Sequence, residues 1–419
     1  MKENQIKQNL KNPEELERLY HQDSRAFEDD FSHLDPEYEN DEFYRFWKAR
    51  LDFGKRESTR RIPLAEISAM IIACVVAGFL IKLPAIFDID LKSYMFYEKN
   101  AGLIAFMGLS LYLIWVSGIS GWKYLLFAAA CFIVPAVYVN LLPAESDYRS
   151  VILAYIYLPL MLWCIFGIIH TGFDFLNNDK RINFIRYNGD LAIITGLIFI
   201  AEVALAALTI GLFEAIGLSV QKFYSMTFLT VGAVSAPVIG AFILRNYPSV
   251  TNRLAPVIAS IFSPLVLITL IVYLFTIVIY GRGPFTDRNF LLAFNLMLVG
   301  VTGVIVFSVS EISMSGRKRF SNAVIFALAI VTILINIVAL SAIFYRLGEY
   351  GISSNRMAVL ISNLLVFINL ILITMDLFKV NFRNAEITKV EMTIAKYLPV
   401  YFIWTVIVVF TFPLIFRAG

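Results

Sequence analysis

The chain has 419 residues, of which 59% are hydrophobic, 15% aromatic and only 16% charged, with a mean hydropathy of +0.73. Soluble domains carry about 25% charged residues, so this composition excludes a water-facing globule. Residues 1–60 hold 15 acidic and 11 basic side chains, a net −4 within an overall +3, which leaves no basic domain to neutralise phosphates and excludes a nucleic-acid binder.

The first sixty residues predict two short helices. Asn12, Pro13 and Glu15 make a helix start: a capping side chain, a proline in the first turn and an acid at the positive dipole end. Leu16, Leu19, Tyr20, Phe27 and Phe31 come next on one broad face, and "LDPEYEN" around Pro36 interrupts the run. A second amphipathic segment, "DEFYRFWKARLDF", sets Phe43, Phe46, Trp47 and Leu51 at helical spacing with Arg45, Lys48 and Arg50 between them. So short a segment buries little apolar surface. It is expected to form no independent domain and to lie against the membrane surface or dock on the spans. Its polar start is expected to carry no cleavable signal, so that the first apolar run directs insertion.

From residue 61 onward the chain reads as an all-α, polytopic helical membrane protein. Apolar runs of about 17–28 residues suit helical crossing of a hydrocarbon core, whereas a barrel would show alternating strands of about ten. Eleven spans are predicted: 62–87, 101–118, 122–142, 150–170, 190–217, 224–245, 254–280, 289–310, 321–345, 354–378 and 397–416. Six bases (Lys48, Arg50, Lys55, Arg56, Arg60 and Arg61) precede the first span. Further clusters at Lys180, Arg181 and Arg186, at Arg317, Lys318 and Arg319, and at Lys379, Arg383, Lys389 and Lys396 fall on the same side. The positive-inside rule then puts the N-terminus in the cytoplasm and the C-terminus outside.

Within the spans two polar stripes recur every seven residues. Asn188, Thr195, Glu202 and Thr209 mark the fifth span; Asn355, Ser362, Asn369 and Asp376 mark the tenth. Seven residues are two helical turns less about 20°, so each set holds one face, and lipid offers it no hydrogen-bond partner. A charge at midspan, where Glu202 falls, costs about 2.5–3.5 kcal/mol and must be protonated, paired or wetted. The stripes are either the walls of a polar path, with Glu202 its protonatable group and Asp376 near its cytoplasmic mouth, or hydrogen-bonded seams between helices.

Two further clusters qualify as binding candidates. The cytoplasmic loop "KRINFIRYNGD" gathers Arg186, Tyr187, Asn188 and Asp190, either as an anion or partner site or as a positive-inside anchor. The outer connection "YRLGEYGISSNRMAVL" holds Arg346, Glu349 and Arg356 beyond what stopping one helix and capping the next requires. These three either pair among themselves or grip an anion from outside. Prolines at 135, 159, 237 and 264 fall inside spans, where kinks can line cavities. Cys74, Cys131 and Cys164 lie in apolar runs without CxxC spacing, and His21, His33 and His170 make no zinc set. No phosphate loop, HExxH, GxSxG or GxGxxG motif is present, so no metal site or cofactor is read from the chain.

"YRLGEYGISSNRMAVL", "KRINFIRYNGDLAIITG", "SPLVLITLIVYLFTIV" and "LPVYFIWTVIVVFTFPLIF" resemble the bacterial multi-pass proteins of the domain-of-unknown-function 4153 family, over essentially the whole length. The "NPEELERLYHQDSRAFEDDF…FWKARL" pattern is similar to the cytoplasmic lead-in of its Gram-negative members. The resemblance implies a bacterial inner-membrane location and no established activity, so it supplies no catalytic residue. Three classes stay open: a transporter or channel, which the span number and Glu202 favour; a membrane enzyme acting on a lipid-linked or anionic substrate at the outer face; and a scaffold or sensor. Membrane lipids are the expected partners, with a cytoplasmic protein as a second candidate at residues 1–60. The oligomeric state is left open.

Overall fold

The structure, a computed structural model, describes residues 2–22, 27, 30–31, 34, 41–58, 62–87, 94–143, 149–215, 221–247, 263–272, 274–275, 288–315 and 319–416. The Pro36 break, most of the seventh predicted span, and His33, Arg60, Arg61, Arg317 and Lys318 lie outside them. Two compact units divide the chain, Met1–Leu64 and Ala65–Gly419.

The first unit contains α1 (Lys2–Asn9), α2 (Pro13–Gln22) and α3 (Glu42–Ser58). The Asn12 side chain accepts from the Glu15 amide at 3.4 Å to start α2, and Asp41 Oδ1 accepts from the amides of Phe43 and Tyr44 at 2.9 and 3.3 Å to start α3. Contrary to expectation the unit has its own core, in which Leu16, Phe27, Phe31 and Trp47 are all buried. Phe31 stacks on Tyr44 at 5.0 Å, and Phe27 lies 5.3 Å from Trp47. Aromatic side chains bury about 150–250 Å² each, which lets a short chain enclose what a count of aliphatics would not. The α3 pattern is also resolved: Tyr44, Trp47 and Leu51 turn inward, while Phe43 and Phe46 face out.

Helices are the regular elements among the described residues of the second unit. It runs α4 (Leu64–Ile81), α5 (Phe96–Val116), α6 (Trp122–Leu141), α7 (Arg149–His170), α8 (Asn178–Ala215) and α9 (Gln221–Asn246). A shorter apolar helix α10 (Ser263–Val272) comes next, then α11 (Arg288–Ser315), α12 (Arg319–Tyr350), α13 (Ser354–Phe382) and α14 (Thr388–Ile415). Among the described residues nine helices are long and apolar enough to cross a membrane. The seventh and eighth predicted spans correspond to α10 and α11, whose apolar described portions are shorter. The chain is thus an integral, multi-pass helical membrane protein.

Small residues set the closest helix contacts, as expected where lipid is as apolar as leucine and only packing can join helices. Ala69, Ala73 and Ala77, four residues apart on α4, are buried, and a Cβ built on Gly108 of α5 would sit 3.2 Å from Ala77. On α8 a Cβ at Gly189 would overlap the ring of Phe307 on α11. Gly189→Ala is therefore expected to cost about 1–3 kcal/mol, since the Phe307 ring has to move. A Cβ on Gly232 of α9 would also overlap a neighbour, but that neighbour is the carboxylate end of Glu202, which can swing. Thermal denaturation in detergent should rank Gly189→Ala well below Gly232→Ala.

Two apolar clusters account for much of the buried surface of this unit. One joins α11, α12 and α13 through Ile305, Leu328, Ile335 and Leu370. The other joins α5, α6 and α7 through Phe132, Leu158 and Leu162, and α14 reaches both. Between these clusters the packing opens.

Candidate functional site

The charged end of the bundle comes from three helices. The stretch 180–190 is not a loop: it forms the opening turns of α8, which begins at Asn178. Arg186 therefore points from a rigid helix, and its Nη2 lies 2.6 Å from Glu391 Oε1 on α14, a carboxylate only 4% exposed. Arg181 Nη1 donates to the Ala395 carbonyl at 3.3 Å one turn further along α14. Glu311, buried on α11, is within electrostatic reach of both Arg186 and Asp190. Tyr187 takes a different direction and lies 4.5 Å from the ring of His170, which Phe184 also flanks. That histidine is an aromatic-packed helix end. Asn188 accepts from the indole nitrogen of Trp163 at 2.9 Å.

The α13 stripe faces α14 and is met there rung by rung. Trp404 Nε1 donates to Ser362 Oγ at 2.8 Å, and the Tyr157 hydroxyl of α7 joins the same oxygen at 2.5 Å. Asn369 donates to the Tyr401 hydroxyl at 2.9 Å. Asp376 accepts from Thr393 at 2.7 Å and pairs with Lys379 at 2.8 Å. Asp376 is thereby occupied in fastening helices. A second polar cluster has no counterpart among the sequence stripes: Asn363 Nδ2 donates to Asn295 of α11 at 2.8 Å, and Asn336 of α12 donates to the Asn363 carbonyl at 3.3 Å. No spacing rule could have matched them, because each sits on a different helix. Asn363→Leu should cost about 0.6–1.7 kcal/mol, read as a lower unfolding midpoint in detergent.

A cavity of about 1190 Å³ lies among α5, α7, α8, α9, α11, α13 and α14. It brings together Asn188 and Thr195 of the first stripe with Ser362 and Asn369 of the second. Asn369 is 1% exposed, and its Oδ1 has no hydrogen-bond partner among the described residues. Tyr157, Trp163, Tyr401, Trp404, Thr302, Ser308 and Thr405 supply further polar points, and most of the remaining wall is apolar. None of the described lining residues is Asp, Glu, Lys, Arg or His. Gly196, Gly300 and Gly303 also line it, and a Cβ on any of them would meet nothing within 4 Å.

Glu202, the centre of the predicted path, is elsewhere. Its carboxylate packs against Gly232 of α9, and both oxygens are buried with no hydrogen-bond partner among the described residues. Thr195 approaches Gly240 on the same helix, so the α8 stripe forms a seam along α9 as well as touching the cavity. Thr209 turns back on its own helix, donating to the Leu205 carbonyl at 2.8 Å.

The connection between α12 and α13 is tied largely to its own backbone, although Arg346 Nη1 is buried with no hydrogen-bond partner among the described residues. Helix α12 continues to Tyr350, several residues past the predicted stop, and Gly351 takes the left-handed φ of 72° that ends it. Ser353 caps α13 by accepting from the Arg356 amide at 3.4 Å. Arg356 Nη1 donates to the carbonyls of Tyr350 and Gly351 at 2.7 and 2.5 Å. Both Arg346 and Arg356 lie over the Tyr350 ring, at 5.9 and 5.5 Å. Among the described residues no ion pair joins Glu349 to either arginine. Of the two expected arrangements, pairing or anion binding, the pairing is not seen: Arg356 takes a carbonyl cap and shares the Tyr350 face with Arg346.

No family model, no curated protein and no solved structure matches the chain.

Proposed function

We propose that the chain is a transporter-like protein of a bacterial inner membrane, a distant member of the family it resembles, whose cavity takes an uncharged, lipid-like molecule. The observation that supports this reading is the lining. A volume of about 1190 Å³ exceeds the ~300–1,000 Å³ of a drug-sized site, and no acid or base among the described lining residues balances a charge brought into it. An ion entering there would lose its hydration with nothing opposite it, at a cost of several kcal/mol or more. A hydrocarbon chain gains little over the bilayer it leaves, so apolar walls admit it without selecting it. Selection falls to Ser362, Asn369, Tyr401 and Trp404, donors and acceptors suited to a hydroxyl, carbonyl or amide. The proton path through Glu202 is not part of this reading, because that carboxylate faces α9 and does not line the cavity. With bases gathered at the Arg186 end, that end is taken as cytoplasmic.

Photocrosslinking tests it. Diazirine-tailed diacylglycerol and diazirine-tailed phosphatidylglycerol would be incorporated into membranes holding the protein. The neutral probe should label the 299–308 and 362–369 peptides several-fold more than the anionic one. Equal labelling of these peptides by both, or labelling confined to exposed faces such as Leu126 and Ile133 of α6, would overturn the proposal.

A further inference from the structure

The first unit leaves one helix face uncovered. Its core takes Tyr44, Trp47 and Leu51 from α3, yet Phe43 and Phe46, one turn apart, remain 40% and 66% exposed. Arg45 is exposed on the same helix, whereas Lys48 sits 5.6 Å over the Tyr44 ring and Arg50 is held 2.5 Å from Glu17 and 4.7 Å over the Trp47 ring. Charge is strongly sorted along this unit. Residues 1–41 hold 12 acids and 5 bases; residues 42–61 hold 3 acids and 7 bases. The exposed phenylalanines therefore belong to the basic part of an otherwise acidic unit.

Covalent geometry says what is close to that part. Helix α3 ends at Ser58 and the first span begins at Leu64. Six residue steps can reach at most about 20 Å, so the end of α3 is never further than that from the chain's point of entry into the bilayer. A basic surface carrying two aromatic side chains, tethered this close to a lipid surface, has its electrostatic complement in anionic head groups and its apolar complement just beneath them. We infer that the outward face of α3, through Phe43 and Phe46 with Arg45 beside Phe46, docks on the anionic lipid surface from which α4 enters the membrane. This rests on the first unit alone and is independent of the cavity reading.

The test uses the full-length protein in nanodiscs, with Cys74, Cys131 and Cys164 replaced by alanine. An environment-sensitive dye is placed by Phe46→Cys, and separately by Glu14→Cys on exposed α2 as a reference. Nitroxide-labelled lipid should quench the residue-46 dye at least about twofold more in discs containing phosphatidylglycerol than in pure phosphatidylcholine. Raised salt should reverse the effect, and residue 14 should show no such difference. Arg45→Glu, at an exposed position that spares the core, should reduce the quenching at least about twofold. A residue-46 dye that stays solvent-like in both lipids would overturn the inference, as would equal quenching at residue 14. Shielding of residue 46 by added cytoplasmic protein but not by lipid would overturn it too, and would assign the face to a protein partner.

Discussion

Replacing Glu391 with alanine is expected to cost about 3–5 kcal/mol of stability, the largest single loss foreseen for this protein. The reason is what the change leaves behind. Arg186 donates to Glu391 through both Nε and Nη2, at 3.2 and 2.6 Å, in a pair whose acid is almost fully enclosed. Taking away the carboxylate strands a guanidinium that is three-quarters covered, and the desolvation cost stays while the attraction goes. Glu311 lies within reach of the same guanidinium and softens the loss, so Glu311→Gln combined with Glu391→Ala should cost more than the two changes separately. Replacing both members of the pair with apolar residues, Arg186→Met with Glu391→Leu, should recover most of the stability. Lys180 and Asp174, paired at 2.9 Å but both well exposed, provide the contrast: Asp174→Ala should cost under about 1 kcal/mol. Equilibrium unfolding in mixed micelles measures all of these. If Glu391→Ala proved no worse than Asp174→Ala, the pair would be a surface contact in effect and the buried-charge argument would fail.

That pair also marks the limit of what local sequence can report. Span positions come from local hydrophobicity, so α4 to α9 and α12 to α14 are all legible. Their ends are less so. Helix α8 starts a dozen residues before its predicted span because Lys180, Arg181 and Arg186 lower the local hydropathy, although nothing about them opposes helix. Helix α12 runs past Arg346 for the same reason. The core of the first unit is hidden for a different cause: it depends on Phe27, Phe31, Tyr44 and Trp47 converging from separate segments, and periodicity within one helix reports a face without naming its partner.

The stripes make the same point within the candidate site. A seven-residue repeat correctly places Ser362, Asn369 and Asp376 on one face of α13. Whether that face meets water or Trp404, Tyr401 and Thr393 depends on which helix lies alongside, and that helix is α14. Glu202 stands out for its depth in the span, yet Gly232, thirty residues on, decides its surroundings. The glycines of the cavity wall carry no sequence signal, since Gly196, Gly300 and Gly303 matter through the side chains they lack. Tertiary pairing, not local pattern, separates a seam from a pocket here.

Those glycines permit the sharpest test of the cavity. Gly300 and Gly303 lie three residues apart on α11, on one helical face, and a Cβ at either would meet nothing within 4 Å. A leucine at each position would start into open volume, its Cβ meeting no neighbour. Leucine is also the better helix former, by roughly 0.8–1 kcal/mol per site. Gly300→Leu with Gly303→Leu should therefore leave the unfolding midpoint unchanged or raised. It should also reduce crosslinking by the diazirine diacylglycerol, or retention of co-purified neutral lipid, by about tenfold, equivalent to about 1.4 kcal/mol. Gly189→Leu reverses both expectations in part: it also sits in the lining, but its side chain would strike Phe307, so stability should fall. Loss of lipid with loss of fold would carry no information about binding, and for that reason the α11 pair is the decisive variant. Neutral lipid retained at wild-type levels in a fully stable Gly300→Leu, Gly303→Leu protein would mean that the volume between α8, α11 and α13 is packing space and that the site lies elsewhere.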